Sequence, residues 1–196
     1  MYRLAIYEGI DDEVRTVLFA PGELTLERWG RRINSPAPLV FSVHRFSAKA
    51  TPETLRPYRR VRLFRRPRAG GEYEAEWFGY IEAVKEVGER IEVVCAGALK
   101  VFKKRYTGDN ETFNGQGSTE AFGLLSDANS ADDTGIVSGT GGVGATRSLT
   151  FNAVDVLSAW ERLALAHGAE FEIDAVGVFH FVPELGADKS GTIELI

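Results

Sequence analysis

Apolar and polar residues alternate along most of the first hundred residues, which predicts strands. "YRLAIYE" (2–8) switches face at each residue, "VRTVLFA" (14–20) follows an acidic turn at residues 11–13, and "ELTLERW" (23–29) and "LVFSVHRF" (39–46) continue the pattern. A period of two sends successive side chains to opposite faces of a pleated strand. The longest unit is "YEAEWFGYIEAVKEVGERIEVVCAG" (73–97), two β-rich runs around a reversal at residues 87–89, where Gly88 is free to take positive φ. It reads as a β-hairpin. Gly79 inside its first run marks a bulge or a close backbone approach, since glycine weakens a strand unless one of these requires it. "SAKATPETLRPY" (47–58) carries two prolines and reads as a connection.

The period changes after residue 106. "STEAFGLLSDAN" (118–129) offers Ser118 as a cap and Ala121, Phe122, Leu125 and Ala128 on one helical face, so a short helix is expected. "NAVDVLSAWERLALAHG" (152–168) is the strongest helix signal: Asn152 as cap, Asp155 three positions on, Phe151 placed to staple onto Val156, and Gly168 as terminator. Val156, Leu157, Trp160, Leu163 and Ala164 form its apolar stripe. "EFEID" (170–174) and "VFHFVPE" (178–184) predict a second hairpin around residues 175–177, and "SGTIELI" (190–196) a closing strand. The fold class is α+β, divided into a β-rich part, residues 1–105, and an α+β module, residues 106–196.

With 196 residues, 44% hydrophobic and 26% charged, the chain is an ordinary globular one able to bury roughly 70% of its unfolded surface. Cys95 stands alone, which excludes an intrachain disulfide and a zinc site built on several thiolates. The start lacks the basic and apolar regions of a secretion signal, and no stretch is a membrane-spanning segment. A cytosolic protein, or one released by lysis, is expected.

The net charge of −5 conceals an asymmetry: residues 1–105 carry 20 Lys+Arg against 14 Asp+Glu, or +6, and residues 106–196 carry 3 against 14, or −11. Such polarity would let the basic part of one subunit meet the acidic part of a neighbour. The basic residues concentrate in "RPYRRVRLFRRPR" (56–68), with a smaller cluster "KVFKKRY" (100–106). The interleaved aromatics raise nucleic acid as a partner, but the alternation of Arg60, Arg62, Phe64 and Arg66 against Val61, Leu63 and Arg65 is that of a solvated or subunit-facing strand. Arg59, Arg60, Arg62, Arg65 and Arg66 are therefore the candidate subunit-contact or lumen-facing residues.

"GTGGVGATRS" (139–148) places Gly139, Gly141 and Gly144 in G-x-G-x-x-G spacing, and residues 139–146 fit a phosphate loop except that Ala145 stands where its lysine belongs. A dinucleotide fingerprint needs a helix to open at the third glycine. Here "ATRSLTF" (145–151) has β character, and helix signals begin only at Asn152. Gly139, Gly141, Gly142 and Gly144 are expected in a flexible loop, with a small ligand- or nucleotide-binding domain as the alternative function. His44, His167 and His180 lack metal-ligand spacing, and His167 in the last helical turn suits the helix dipole. Glu170, Glu172 and Asp174 read as a solvated strand face. No nucleophile elbow, metal set or cofactor motif is present, so neither an enzyme nor a cofactor is expected.

The order of elements resembles the amino-terminal part of bacteriophage baseplate-hub and tail-associated (tail-tip) proteins and their contractile-injection relatives. The likeness rests on "RPYRRVRLFRR", on the hairpin "EWFGYIEAVKEVGERIEVVCAG", on "LKVFKKRYT", on the helix with "LLSDAN", on "GIVSG" and the glycines after it, on "VDVLSAWERLALAHGAEFEID", and on "FVPELGADKSGTIEL". The resemblance implies a tail-tube-like β-barrel joined to an α+β module of two helices and short hairpins. It further implies a homotrimer that closes the distal end of the tail tube in the virion, after assembly in the host bacterial cytoplasm. The implied partners are the distal tail protein, the tape measure protein and other tail-tip proteins, with DNA passing transiently through the lumen. Chains of this family generally continue past the position of Ile196 into a second barrel, so the sequence is expected to be part of a longer hub or one half of a divided one.

Overall fold

The structure, a computed structural model, describes residues 1–8, 13–68 and 70–185. Most of the expected acidic turn and all of the expected closing strand at residues 190–196 lie outside them. Seven strands account for the first half: β1 (Tyr2–Tyr7), β2 (Val14–Ala20), β3 (Leu24–Trp29), β4 (Pro38–His44), β5 (Arg60–Arg65), β6 (Glu74–Val87) and β7 (Arg90–Gly97). They form one antiparallel sheet in the order β2-β1-β5-β6-β7-β4-β3. The period-2 pattern sorts its faces. Leu4, Ile6, Leu18, Leu39, Phe41, Val43, Val61, Leu63, Ile81, Val93 and Cys95 turn inward and are essentially unexposed. Each large aliphatic buried in this way contributes about 1.5–3 kcal/mol of transfer free energy.

The edge strands β2 and β3 are consecutive in the chain, joined across residues 21–23, with Glu23 N–H bonded to Phe19 O at 2.9 Å. A three-residue link brings the two edges together at that end, so the sheet curls. No ladder joins β2 to β3 among the described residues, and the hydrogen bonds leave the curl open rather than closed as a barrel. The connection at residues 47–58 is part of the packing: Ala50 and Leu55 enter the first core, and Lys49 Nζ bonds Val17 O (2.8 Å) and the Glu23 carboxylate across the junction of the edges. That lysine, with the backbone N–H of Phe19, holds the Glu23 carboxyl below its ordinary range against the opposing effect of burial.

The hairpin β6–β7 turns at Gly88, φ +59°, as the sequence predicts. Gly79 answers to close approach: a Cβ there would collide with Ala96 O and the Trp77 ring. The bulges of β6 fall elsewhere, opposite the Leu63/Phe64 step of β5 and at Ile81/Ala83.

A second core begins at a 3-10 helix, Ala98–Lys104, which contributes Ala98, Leu99 and Phe102. It continues through β8 (Glu111–Phe113), α1 (Gly117–Ala131), β9 (Val137–Gly141), β10 (Leu149–Phe151), α2 (Val156–His167), β11 (Glu170–Ile173) and β12 (Val178–Val182). β8 pairs with β10, and β9 joins the expected β11–β12 hairpin in parallel. Trp160 on α2 is the centre. Its ring stacks on Phe179 (4.3 Å between centroids) and meets Phe102 (4.6 Å), while its indole N–H bonds Ala121 O at 3.0 Å.

Both helix starts differ from the sequence reading. α2 is capped by Asp155, whose carboxylate accepts from Ser158 N–H at 3.0 Å, and not by Asn152. The chain from Asn152 to Asp155 instead crosses back over residues 105–108, through Ala153 N–H to Gly108 O and Val156 N–H to Arg105 O. The cap of α1 is Gln116, two residues earlier than Ser118, and Leu124 joins its buried face while Phe122 stays half-buried. The C-cap of α2 is Gly168 at φ +62°, as expected.

Candidate functional site

The basic strand divides along its length. Its inward residues Val61 and Leu63 lie in the first core, and its outward arginines meet aromatic rings rather than water. Arg60 and Arg62 lie 5.5 and 5.4 Å from the Tyr7 ring, and Arg62 also lies 5.3 Å from Phe78 and donates to Val176 O at 3.1 Å. Arg59, only 8% exposed, pairs with the Glu8 carboxylate at 2.7 Å and bonds the Glu8 carbonyl. The Arg59 bond to the carboxylate is the main reason the Glu8 carboxyl sits below its ordinary range. Further along, Arg66 and Arg3 sandwich Tyr73 at 5.1 and 4.7 Å, and Arg3 continues onto Phe64 at 4.3 Å. Each exposed cation–ring contact is worth about 0.5–1 kcal/mol. Arg59, Arg60, Arg62 and the half-buried Arg66 are thus engaged within the chain, whereas Arg65 is exposed, with Glu76 at 3.8 Å. Of the face expected to be solvated or subunit-facing, Arg60 is buried and Arg62 half-buried, each against aromatic rings. Tyr7, Phe78 and Tyr73, which supply the rings, come from other segments, and nothing local to residues 56–68 reveals them.

The glycine stretch begins as a strand and leaves it after Gly141. Gly139 and Gly141 belong to β9, where the sequence reading has a flexible loop, and their backbone is crowded. A Cβ on Gly139 would come within 2.8 Å of the His180 ring, and one on Gly141 within 2.8 Å of Ser118 Cβ and 2.9 Å of Phe122. Gly142 is tight against Pro183 at 3.3 Å, and Gly144 alone faces open space. Ser118 Oγ holds the segment, accepting from Gly142 N–H (2.9 Å) and Val143 N–H (2.8 Å) and donating to Phe181 O (3.2 Å). No helix opens after Gly144: β10 follows, and α2 starts at Val156. The helix terminus that a nucleotide phosphate would need is absent from that place.

Ion pairs and hydrogen bonds join the two halves within the chain, Arg105 with Asp132 at 3.1 Å among them. Arg31 forks onto Glu172 at 2.8 and 3.0 Å. Asn34, φ +58°, donates from its N–H to Phe171 O (2.9 Å) and accepts Phe171 N–H on Oδ1 (2.7 Å), covering the edge of β11. Tyr80 bonds Thr134 O at 3.2 Å, and burial pushes its phenol up to about 12. The supposedly solvated carboxylates are likewise engaged, Glu170 with Leu185 N–H (2.7 Å) and Asp174 with Val178 N–H (2.8 Å) and His180 Nε2 (3.3 Å). His180 Nδ1 accepts Thr140 N–H at 3.1 Å, so one ring nitrogen serves the β9–β12 contact and the other the turn between β11 and β12. Burial raises the Cys95 thiol and lowers His167, the latter with help from Arg147. Both effects work against the charged dipole partner of the sequence reading. Among the described residues no group of three metal-ligating side chains assembles.

No protein-family model matches the sequence, and no curated protein is significantly similar to it. Solved structures are. The tail protein from Neisseria meningitidis superposes with a TM-score of 0.58 at 8% identity, over 92% of this chain and 50% of its own. Prophage tail protein gp18 from Listeria monocytogenes gives 0.58 at 12% identity, over 93% and 50%. The E. coli c3393 protein, a type VI secretion component with structural similarity to the T4 tail proteins gp27 and gp5, gives 0.53 at 15% identity, over 83% and 49%. This chain spans about half the length of each. Its curled seven-stranded sheet and its aromatic-centred α+β module are together the fold of phage and prophage tail proteins.

Proposed function

We propose that the chain is a structural subunit of a bacteriophage tail tip: a hub subunit, trimeric in the virion, that closes the distal end of the tail tube and links it to the distal tail protein and the tape measure. The likeness to tail proteins over more than nine-tenths of the chain carries this reading. The sheet whose edge strands meet in a short link supports a tube-like barrel for residues 1–105, with residues 106–196 as the hub module. Arg65, exposed at the end of β5, and the half-buried Arg66 beside it are the arginines best placed to face a neighbouring subunit or DNA in the lumen.

Isolated protein is expected to be monomeric at physiological salt, because exposed charge pairs are screened and individually weak. The deciding measurement is the copy number and position of the protein in intact particles, by cryo-EM or by native mass spectrometry of tail tips. Three copies at the tube end support the reading. Absence from virions, or a free monomer with enzymatic turnover, overturns it.

A further inference from the structure

The hairpin β6–β7 outruns its neighbour. β6 has 14 residues and β5 has 6, and their ladder ends at the Arg60↔Tyr80 pair. Residues 58 and 59 extend it by one step, Tyr58 N–H bonding Ile81 O (2.8 Å) and Ile81 N–H bonding Arg59 O (3.0 Å). Beyond Ile81, residues 82–87 are all exposed and, among the described residues, pair with β7 alone. An open edge of this length is a template for another strand.

Where the edge opens there is a depression of about 120 Å³, lined by Tyr58, Tyr80, Ile81, Ala96, Val101 and Lys104. That is room for one side chain. Its wall is unusual: Tyr58 is 67% exposed and sits at φ +69°, a conformation unfavourable for a residue with a Cβ. Lys104 Nζ lies 4.4 Å from the Tyr58 ring centre and bonds its hydroxyl. Lys100, 3.1 Å from Glu82, and the exposed Lys103 make this rim basic.

We propose that the edge and the depression form a strand-addition site for an extended segment of another protein. The segment pairs its backbone with residues 82–87, places one apolar side chain against Tyr58, Tyr80 and Val101, and turns carboxylates beside that anchor toward Lys100 and Lys104. A second copy of the same edge is a poor occupant. Antiparallel self-pairing must be centred on a residue to keep side chains on matching faces. Centring on Val84 sets Glu82 against Glu86, and centring on Lys85 sets it against itself, both like-charge contacts.

The test is independent of the tail-tip reading, whose fate rests on virions. A fluorescein-labelled peptide of the form Asp-X-Asp-Val-Thr-Val-Thr-Val, with X as Phe, Tyr, Leu or Ile, is titrated with the protein and followed by anisotropy. Saturable binding is expected for at least one anchor, weakened about tenfold by K100E/K104E in a variant that melts like wild type. Alternate N-methylation of the peptide backbone should abolish binding, since it removes the donors a strand partner needs. Absence of saturation for every anchor, equal binding of the Lys-X-Lys peptide, or equal binding of the N-methylated peptide overturns the proposal.

Discussion

Asn34 and Phe171, 137 residues apart, hold one another by two hydrogen bonds, one from each backbone N–H, and so join the sheet of the first half to the edge of β11 in the second. The side-chain bond satisfies a strand N–H that would otherwise lose its partner. Asn34→Gly keeps the left-handed backbone and removes that acceptor, so it should cost about 1–3 kcal/mol in chemical denaturation. An unchanged midpoint would show that water replaces the contact at no cost.

Trp160 carries the second core. Trp160→Ala should destabilise by about 3–5 kcal/mol through lost burial and the cavity left among Phe102, Phe171 and Phe179. Trp160→Phe should cost less while still removing the indole bond to Ala121 O. Thermal melts of the two variants check the order.

The start of α2 is a direct contest between two residues. Asp155→Ala should cost about 1 kcal/mol, because it deletes the carboxylate that caps Ser158 N–H. Asn152→Ala, at an exposed position outside the cap, should change little. Equal losses at both sites would contradict the cap geometry.

Gly141 and Gly144 should respond unequally to serine. Gly141→Ser forces a Cβ into Ser118 and Phe122 and should cost about 1–3 kcal/mol, whereas Gly144→Ser meets nothing within 4 Å and should be close to neutral. Equal melting temperatures for the two variants would mean that β9 gives way freely.

His167 links stability to pH. Its folded pKa lies below the unfolded value of 6.5, with burial the first cause and Arg147 the second, opposed by Glu120. Below pH 6.5 the unfolded chain therefore binds the proton more readily than the folded one, and stability falls as pH drops until the folded pKa is passed. His167→Gln should remove this contribution, measured as a shallower loss of stability from pH 6.5 downward. An identical pH profile would show the ring to be solvated.

Local periodicity alone specifies much of the architecture. The alternating runs become β1 to β7, Gly88 becomes the hairpin turn, and the stripe from Val156 to Ala164 becomes the buried face of α2 with Gly168 at its end. These features depend on backbone geometry and on neighbours within a few residues, and such signals are written next to one another in the chain. The fate of each outward-facing group is different in kind. Period two separates Arg60 and Arg62 from Val61 and Leu63, but whether the arginines meet water, DNA or a ring depends on Tyr7 and Phe78, supplied by the strands on either side. Likewise a run of glycines looks mobile until α1 and β12 are packed against it, when the missing Cβ atoms become the space that Ser118, Phe122 and His180 occupy. The α2 cap passed from Asn152 to Asp155 because the preceding residues are drawn into contacts with residues 105–108. Composition and spacing determined which segments are strands and helices. Only the tertiary structure decided which surfaces were left over for partners, because exposure is a property of what packs on top and not of the residue itself.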